Sequence, residues 1–267
     1  MPKKLFVTLT VILLMTMTVS LVMIANTLIR SNAEIRGFES LAEIVNTPPA
    51  NTNSQGSEGS DDTDTDTVAE SGDVSVIPEQ EPVYTRNLAP LYEQNGDCLG
   101  WISIPGTSVD YPVMYAPNES QKYLRKDFNG DYSLSGTPFL QENCTPDSDN
   151  LIVYGHNMKN GTMFSDIVGY VEPSYREAHP TIEFETPEGL VIYEVISVLQ
   201  VKSNDPWYSF ISAADDDDYT QRLSELTERS LYSIDSEISV GRRLLTLSTC
   251  YGKNKDDRLI VIAAECL

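Results

Sequence analysis

Between Leu5 and Ile29 the chain runs for 25 residues without a charge, LFVTLTVILLMTMTVSLVMIANTLI, with Lys3 and Lys4 before it and Arg30 after it. Wound as a helix at ~1.5 Å per residue, such a stretch exceeds a hydrocarbon core of roughly 30 Å. A cleavable signal sequence has a shorter apolar region, about 7–15 residues, and a small-residue exit site. Ala25 and Ala33 leave cleavage open, but the length favours a retained anchor over residues 1–30. Flanking charge does not orient it, because two lysines on one side face Arg30 and Arg36 on the other. Whatever follows must fold against, or at a distance from, a bilayer.

Residues 31–85 hold 12 acidic residues and one basic residue, Arg36. The run NTPPANTNSQGSEGSDDTDTDT lacks large apolar side chains, so it cannot bury enough surface to offset the entropy of ordering it. This segment reads as a disordered or extended acidic spacer. DDTDTDT looks like the start of a calcium loop but lacks the glycine turn and the distal glutamate, so no metal is expected there.

Residues 86–267 carry the apolar residues of a core, with 14 basic against 28 acidic residues. The acidic balance argues against nucleic acid as a partner. At this length one well-buried domain is expected. Short β-rich runs separated by glycine and proline dominate it: two within GWISIPGTSVDYPVMY (100–115), then 136–142, 150–156, 181–186, 190–201, 243–250 and 258–265. About eight such strands predict a mainly β fold, a closed or nearly closed barrel. Helices are few. Residues 215–233 place Tyr219, Leu223, Leu226 and Ser230 on one face, with aspartates at the dipole-favoured N-terminal end. Residues 118–128 and 163–171 are shorter candidates.

Four cysteines, Cys98, Cys144, Cys250 and Cys266, include no C-x-x-C pair, which removes most of the case for zinc. Outside the cytoplasm disulfides are permitted, and Cys98–Cys144 stays open. Cys250 stands apart by position. It ends one apolar run, a seven-residue loop YGKNKDD follows, and Arg258 opens the next run. As an antiparallel hairpin this sets Cys250 opposite Arg258, with Cβ atoms about 4.5–5.5 Å apart. A guanidinium there stabilises a thiolate and can donate to an oxyanion, although an arginine snorkelling at a strand end has the same pattern. A nucleophilic cysteine also needs a proton shuttle. His179 precedes a proline in a loop and reads as a surface or turn histidine. His156 ends the apolar run LIVYGH, where strand termini display functional groups, and is the better candidate.

These residues resemble a known family. LIVYGHNM, the motif TLxTC (Thr246, Leu247, Ser248, Thr249, Cys250) and an arginine eight residues after the cysteine resemble the sortases, membrane-anchored cysteine transpeptidases of Gram-positive bacteria. Serine within that motif, YGHNM followed by GTMFSDI, and the helix at 215–233 look like class B. The resemblance implies an eight-stranded sortase-type β-barrel with an N-terminal helix and a helix inserted between strands six and seven. It implies no cofactor, since the class lacks the calcium site of some class A enzymes.

The resemblance further implies catalytic roles for His156, Cys250 and Arg258, with the Tyr251 backbone N–H sharing the oxyanion. It suggests Ser248 and Leu124 as substrate-groove residues. The implied partners are the NPxTx-type sorting signal of a secreted surface protein and a peptidoglycan precursor or cross-bridge amine. That places the N-terminus inside the cell and the catalytic domain outside the membrane. A family asparagine four residues before Leu124 is replaced here by Ser120, which bears on peptide preference. Two other readings stay open: a pilin-polymerising sortase with a lysine acceptor, and a non-catalytic membrane-tethered surface module. A papain-like hydrolase fits less well, because that family places its cysteine before its histidine.

Overall fold

The computed structural model describes residues 3–46, 84–235 and 238–266. The DDTDTDT run and most of the acidic segment lie outside these residues. Eight strands form a closed barrel in the order β1-β2-β3-β4-β7-β8-β6-β5. They are β1 (Cys98–Ser103), β2 (Asp110–Met114), β3 (Phe139–Leu140), β4 (Asn150–Tyr154), β5 (Thr181–Thr186), β6 (Gly189–Lys202), β7 (Leu244–Cys250) and β8 (Asp257–Glu265). Most neighbours are antiparallel, but β2 and β3, and β4 and β7, run parallel.

The near-continuous apolar character of β7 and β8 has a direct cause: both faces of each strand are covered. Leu245, Leu247, Leu259, Val261 and Ala263 face the barrel interior with Ile102 and Phe184. Leu244, Ile260, Ile262 and Ala264 face outward into a second core beneath Trp207, Phe210, Tyr219 and Leu226. That roof comes from the β6–β7 connection, which contains a 3-10 turn (Pro206–Ser209) and an α-helix, Asp216–Arg229. The helix lies where the sequence places it. Asp215 caps it by accepting from the Asp218 N–H at 2.9 Å, and Tyr219 and Leu226 are its buried residues. Polar groups under the roof are paired: Trp207 Nε1 donates to Thr246 Oγ1 at 3.0 Å, and that hydroxyl donates to Asn150 Oδ1 at 2.8 Å.

The expected helix at 118–128 is instead one 3-10 turn, Lys122–Arg125, entered through Gln121 at φ 56°. That at 163–171 is likewise a 3-10 segment, Asp166–Val171. Long-range bonds hold the first one: Lys122 pairs with Asp97 at 2.9 Å, and the Tyr123 hydroxyl donates to Asp97 at 2.8 Å.

The N-terminal helix, Lys3–Val45, is the largest departure from expectation, since it continues past Arg30 into the acidic segment. Its upper part is apolar and exposed, and it is long and apolar enough to cross a membrane. Its lower part packs on the domain. Phe38, Leu41 and Val45, at i, i+3 and i+7, are buried, and Phe38 meets Tyr111 edge-on at 5.5 Å. Two loops of the barrel bond to the same helix. Glu34 accepts from the Leu134 N–H at 2.9 Å and from the Ser135 hydroxyl, and Asn160 Nδ2 donates to the Ser31 hydroxyl at 3.0 Å.

The chain rejoins the domain over a buried carboxylate. Glu185, fully inaccessible, accepts from the Thr85 N–H at 2.9 Å, the Thr85 hydroxyl at 2.6 Å and the Arg86 N–H at 3.0 Å, with the Arg86 guanidinium 3.7 Å away. Replacing Glu185 with alanine strands these donors and is expected to cost about 3–5 kcal/mol. Urea denaturation measures it, and a loss below about 1 kcal/mol, typical of an exposed pair, would contradict this account.

Candidate active site

The register of one parallel strand pair builds the centre of the site. β4 and β7 are aligned from Asn150 opposite Leu244 to Tyr154 opposite Ser248, a constant offset of 94 residues. The same offset carries His156 to Cys250. The ladder extends past the strand ends, with the Gly155 N–H donating to Ser248 O at 3.1 Å and Asn157 Nδ2 to Cys250 O at 3.1 Å. His156 therefore follows β4 at the same edge of the barrel where Cys250 ends the paired strand β7. On the other side of β7, Cys250 is opposite Arg258 in the β7–β8 pairing, as the loop length predicts. Gly155 is required at its position, because a Cβ there would come within 2.5 Å of the buried Phe164 ring.

All three side chains line one open groove of about 660 Å³, together with Ser120, Leu124, Ser248 and residues of the roof. The volume suits an extended peptide segment or a small ligand. Cys250 is exposed, whereas Cys98 and Cys144 are buried. All four cysteines are free thiols, so the open Cys98–Cys144 pairing is not formed. Burial pushes the Cys98 thiol up to about 12 and the Cys144 thiol up to about 11.

His156 is half-buried, and its Nε2 lies 2.9 Å from Leu124 O. A carbonyl can only accept, so Nε2 carries the proton and Nδ1 is left for exchange. Burial lowers the imidazole pKa below its usual value. The Leu124 bond opposes this, while the Arg125 and Arg258 charges act with burial. Arg258 Nη1 donates to Lys255 O at 2.8 Å and Asp257 O at 2.9 Å. Among the described residues no carboxylate pairs with Arg258, so its charge is available to the groove.

Leu124 and Ser248 both line the groove. Leu124 also supplies the carbonyl that holds His156, and the Ser248 hydroxyl is engaged with Tyr208 at 2.8 Å. Tyr251 does not join them. Its N–H donates to Asp257 O at 3.2 Å, which continues the β7–β8 ladder past Cys250, and its side chain lines a separate depression with Gln200 and Asp205. The expectation that this N–H shares the oxyanion is therefore not met in this arrangement. His179 is a turn residue, with Nδ1 2.8 Å from Pro105 O.

Sequence reading missed the aromatic wall. Tyr208, from the roof segment, stacks on Tyr154 at 5.9 Å, and Gln141 pins both by bonding the Tyr154 hydroxyl and Tyr208 O. The DPWYSF run carried the signal, an aromatic cluster too dense for a solvent loop.

Comparison with known proteins points to one family. The sortase domain family matches residues 102–266. Sortase B of Staphylococcus aureus is 32% identical over 188 residues, covering 67% of this chain and 76% of that protein. Sortase B of Listeria monocytogenes is 29% identical over 192 residues, covering 66% and 77%. Among solved structures, sortase B of Clostridium perfringens superposes with a TM-score of 0.64 at 29% identity, covering 68% of this chain and all of that one. A Staphylococcus aureus sortase B–substrate complex gives 0.62 at 31% identity, covering 67% and 84%.

Proposed function

Since this chain belongs to the sortase family, in class B, and is a cysteine transpeptidase, we propose that it cuts an NPxTx-type sorting signal after the threonine and passes the protein to a peptidoglycan cross-bridge amine. The observation that supports this reading best is the sharing of one open groove by the Cys250 thiol, the His156 imidazole and the Arg258 guanidinium. The Cys250 sulfur adds to the threonine carbonyl as its proton passes to His156 Nδ1, and Arg258 donates to the oxygen as it becomes negative. Collapse expels the amine, which takes a proton from His156 and leaves a thioester. The acceptor amine then attacks the thioester, His156 takes its proton and returns it to the departing Cys250 sulfur, and an amide and the free thiol remain. The aromatic wall of Tyr154 and Tyr208 borders the groove. A substrate outside the cytoplasm puts the N-terminus inside and the barrel outside.

Mass spectrometry tests the reading directly. The full chain in detergent micelles is incubated with NPxTx peptides and either a peptidoglycan-type amine or a lysine side-chain amine. Expected are a thioester on Cys250 and transfer to the first acceptor; preferred transfer to lysine would instead mark a pilin-type enzyme. No cleavage beyond that of a Cys250→Ala control would overturn the proposal.

Arg258→Ala should lower kcat about 10²–10³-fold, which corresponds to roughly 2.7–4 kcal/mol of transition-state stabilisation. Arg258→Lys keeps the charge but not the fork of donors, and should retain only part of the rate. A raised KM with unchanged kcat would make Arg258 a binding group instead.

A further inference from the structure

We infer that the catalytic domain rests on the bilayer, with Tyr132 and Leu134 in the headgroup layer, rather than standing off on an acidic stalk. This rests on reading the apolar half of the N-terminal helix as a membrane span. The helix is unbroken from Lys3 to Val45, so no hinge separates the span from the part that packs on the barrel. The first barrel contacts come at Ser31 and Glu34, immediately after Ile29 closes the uncharged run. Glu34 is five residues beyond Ile29, ~7.5 Å along the axis. The polar layer on each side of a bilayer is about 5–8 Å deep. Helical side chains also lean toward the N-terminus, here toward the membrane.

The loop that meets Glu34 suits that depth. Tyr132 is 67% exposed and Leu134 40% exposed, two of the few large apolar side chains that the folded domain leaves in the open. They share a cleft with Arg30, Ala33 and Gly37 of the helix. Basic groups flank them: Lys126 pairs with Tyr132 across a β-bridge, and the Arg125 guanidinium donates to Leu134 O. Asp127 and Asp131 lie in the same loop, but Asp127 Oδ1 is occupied by the Asn129 and Asp131 N–H groups. Tyrosine with basic neighbours, beside a span, is the composition of an interfacial contact. The partner is the lipid surface that the helix itself crosses. Ser135 lies one residue on from Leu134 and lines the catalytic groove, so one rim of that groove sits near the membrane plane.

Tryptophan fluorescence of the full chain in lipid nanodiscs tests the inference. Tyr132→Trp reports the loop and Leu14→Trp reports the span, while the buried Trp101 and Trp207 give a background measured on the unaltered chain. In the Tyr132→Trp chain the added emission should be blue-shifted and quenched most by phospholipids brominated near the headgroup. In the Leu14→Trp chain it should be quenched most by deep bromines. Quenching in the Leu14→Trp chain alone, with the loop probe emitting as in water, would leave the anchor standing and overturn the docking. Absence of quenching in both variants would overturn the anchor and the docking together.

Discussion

Cys250→Ala is expected to abolish both thioester formation and amine transfer while leaving the fold intact. Cys250 is exposed at the end of β7, so its loss leaves no cavity and the thermal midpoint should not move. No neighbour can replace the nucleophile. The Ser248 hydroxyl is engaged with Tyr208, and the Thr249 hydroxyl donates to Gly155 O at 2.8 Å. The other exposed thiol, Cys266, is raised in pKa by burial and by Glu194, and lies at the far end of β8, where its N–H bonds to Ile192 O. Iodoacetamide at neutral pH should therefore alkylate Cys250 first, read by peptide mass. Equal labelling of the intact and Cys250→Ala chains would contradict a reactive Cys250, and residual transfer activity in the variant would contradict its role as nucleophile.

His156→Gln should lower kcat about 10²–10⁴-fold, the range for loss of a positioned acid–base group. Glutamine can still donate to Leu124 O, so a fold defect is not the expected cause. Both half-reactions should slow, because the same imidazole gives a proton to the leaving amine and takes one from the incoming amine. Burial disfavours the imidazolium, so the His156 ring should titrate below the usual ~6.5 in an NMR experiment. Removing a nearby cation relieves like-charge repulsion, and Arg125→Ala or Arg258→Ala should move that pKa up. A downward move in either variant would show that these charges do not act on His156.

Much of the candidate site was legible because strand geometry is local. The seven-residue loop and the alternation of β7 and β8 were enough to set Cys250 opposite Arg258, and the structure has that pair. His156 was legible as a strand-end residue, but its nearness to Cys250 came only through resemblance, since a parallel pairing leaves no mark in either strand. The Tyr251 N–H is engaged elsewhere in this arrangement for a physical reason. The ladder runs one rung past Cys250, with Gly252 at φ 101° in the turn, and uses the N–H that the resemblance assigned to the oxyanion. The N-terminal helix was cut short because residues 31–85 were weighed as one composition. Phe38, Leu41 and Val45 form a helical stripe that the acidic residues beyond them dilute. The 3-10 turn at Lys122–Arg125 depends on Asp97, a partner 25 residues away from Lys122 that no local pattern reveals.

The constant offset between β4 and β7 also bears on how the molecule matures. Neither strand can hold His156 beside Cys250 until segments 94 residues apart in the chain have met. Pairings of such long range are slow to form, since loop entropy is lost before contacts compensate for it. The thiol therefore acquires its imidazole neighbour only as the barrel closes. Until the barrel has closed, Cys250 has no imidazole neighbour to take its proton. Kinetically, nucleophilicity toward a peptide should appear together with the final packing of the barrel, making activity itself a reporter of completed folding.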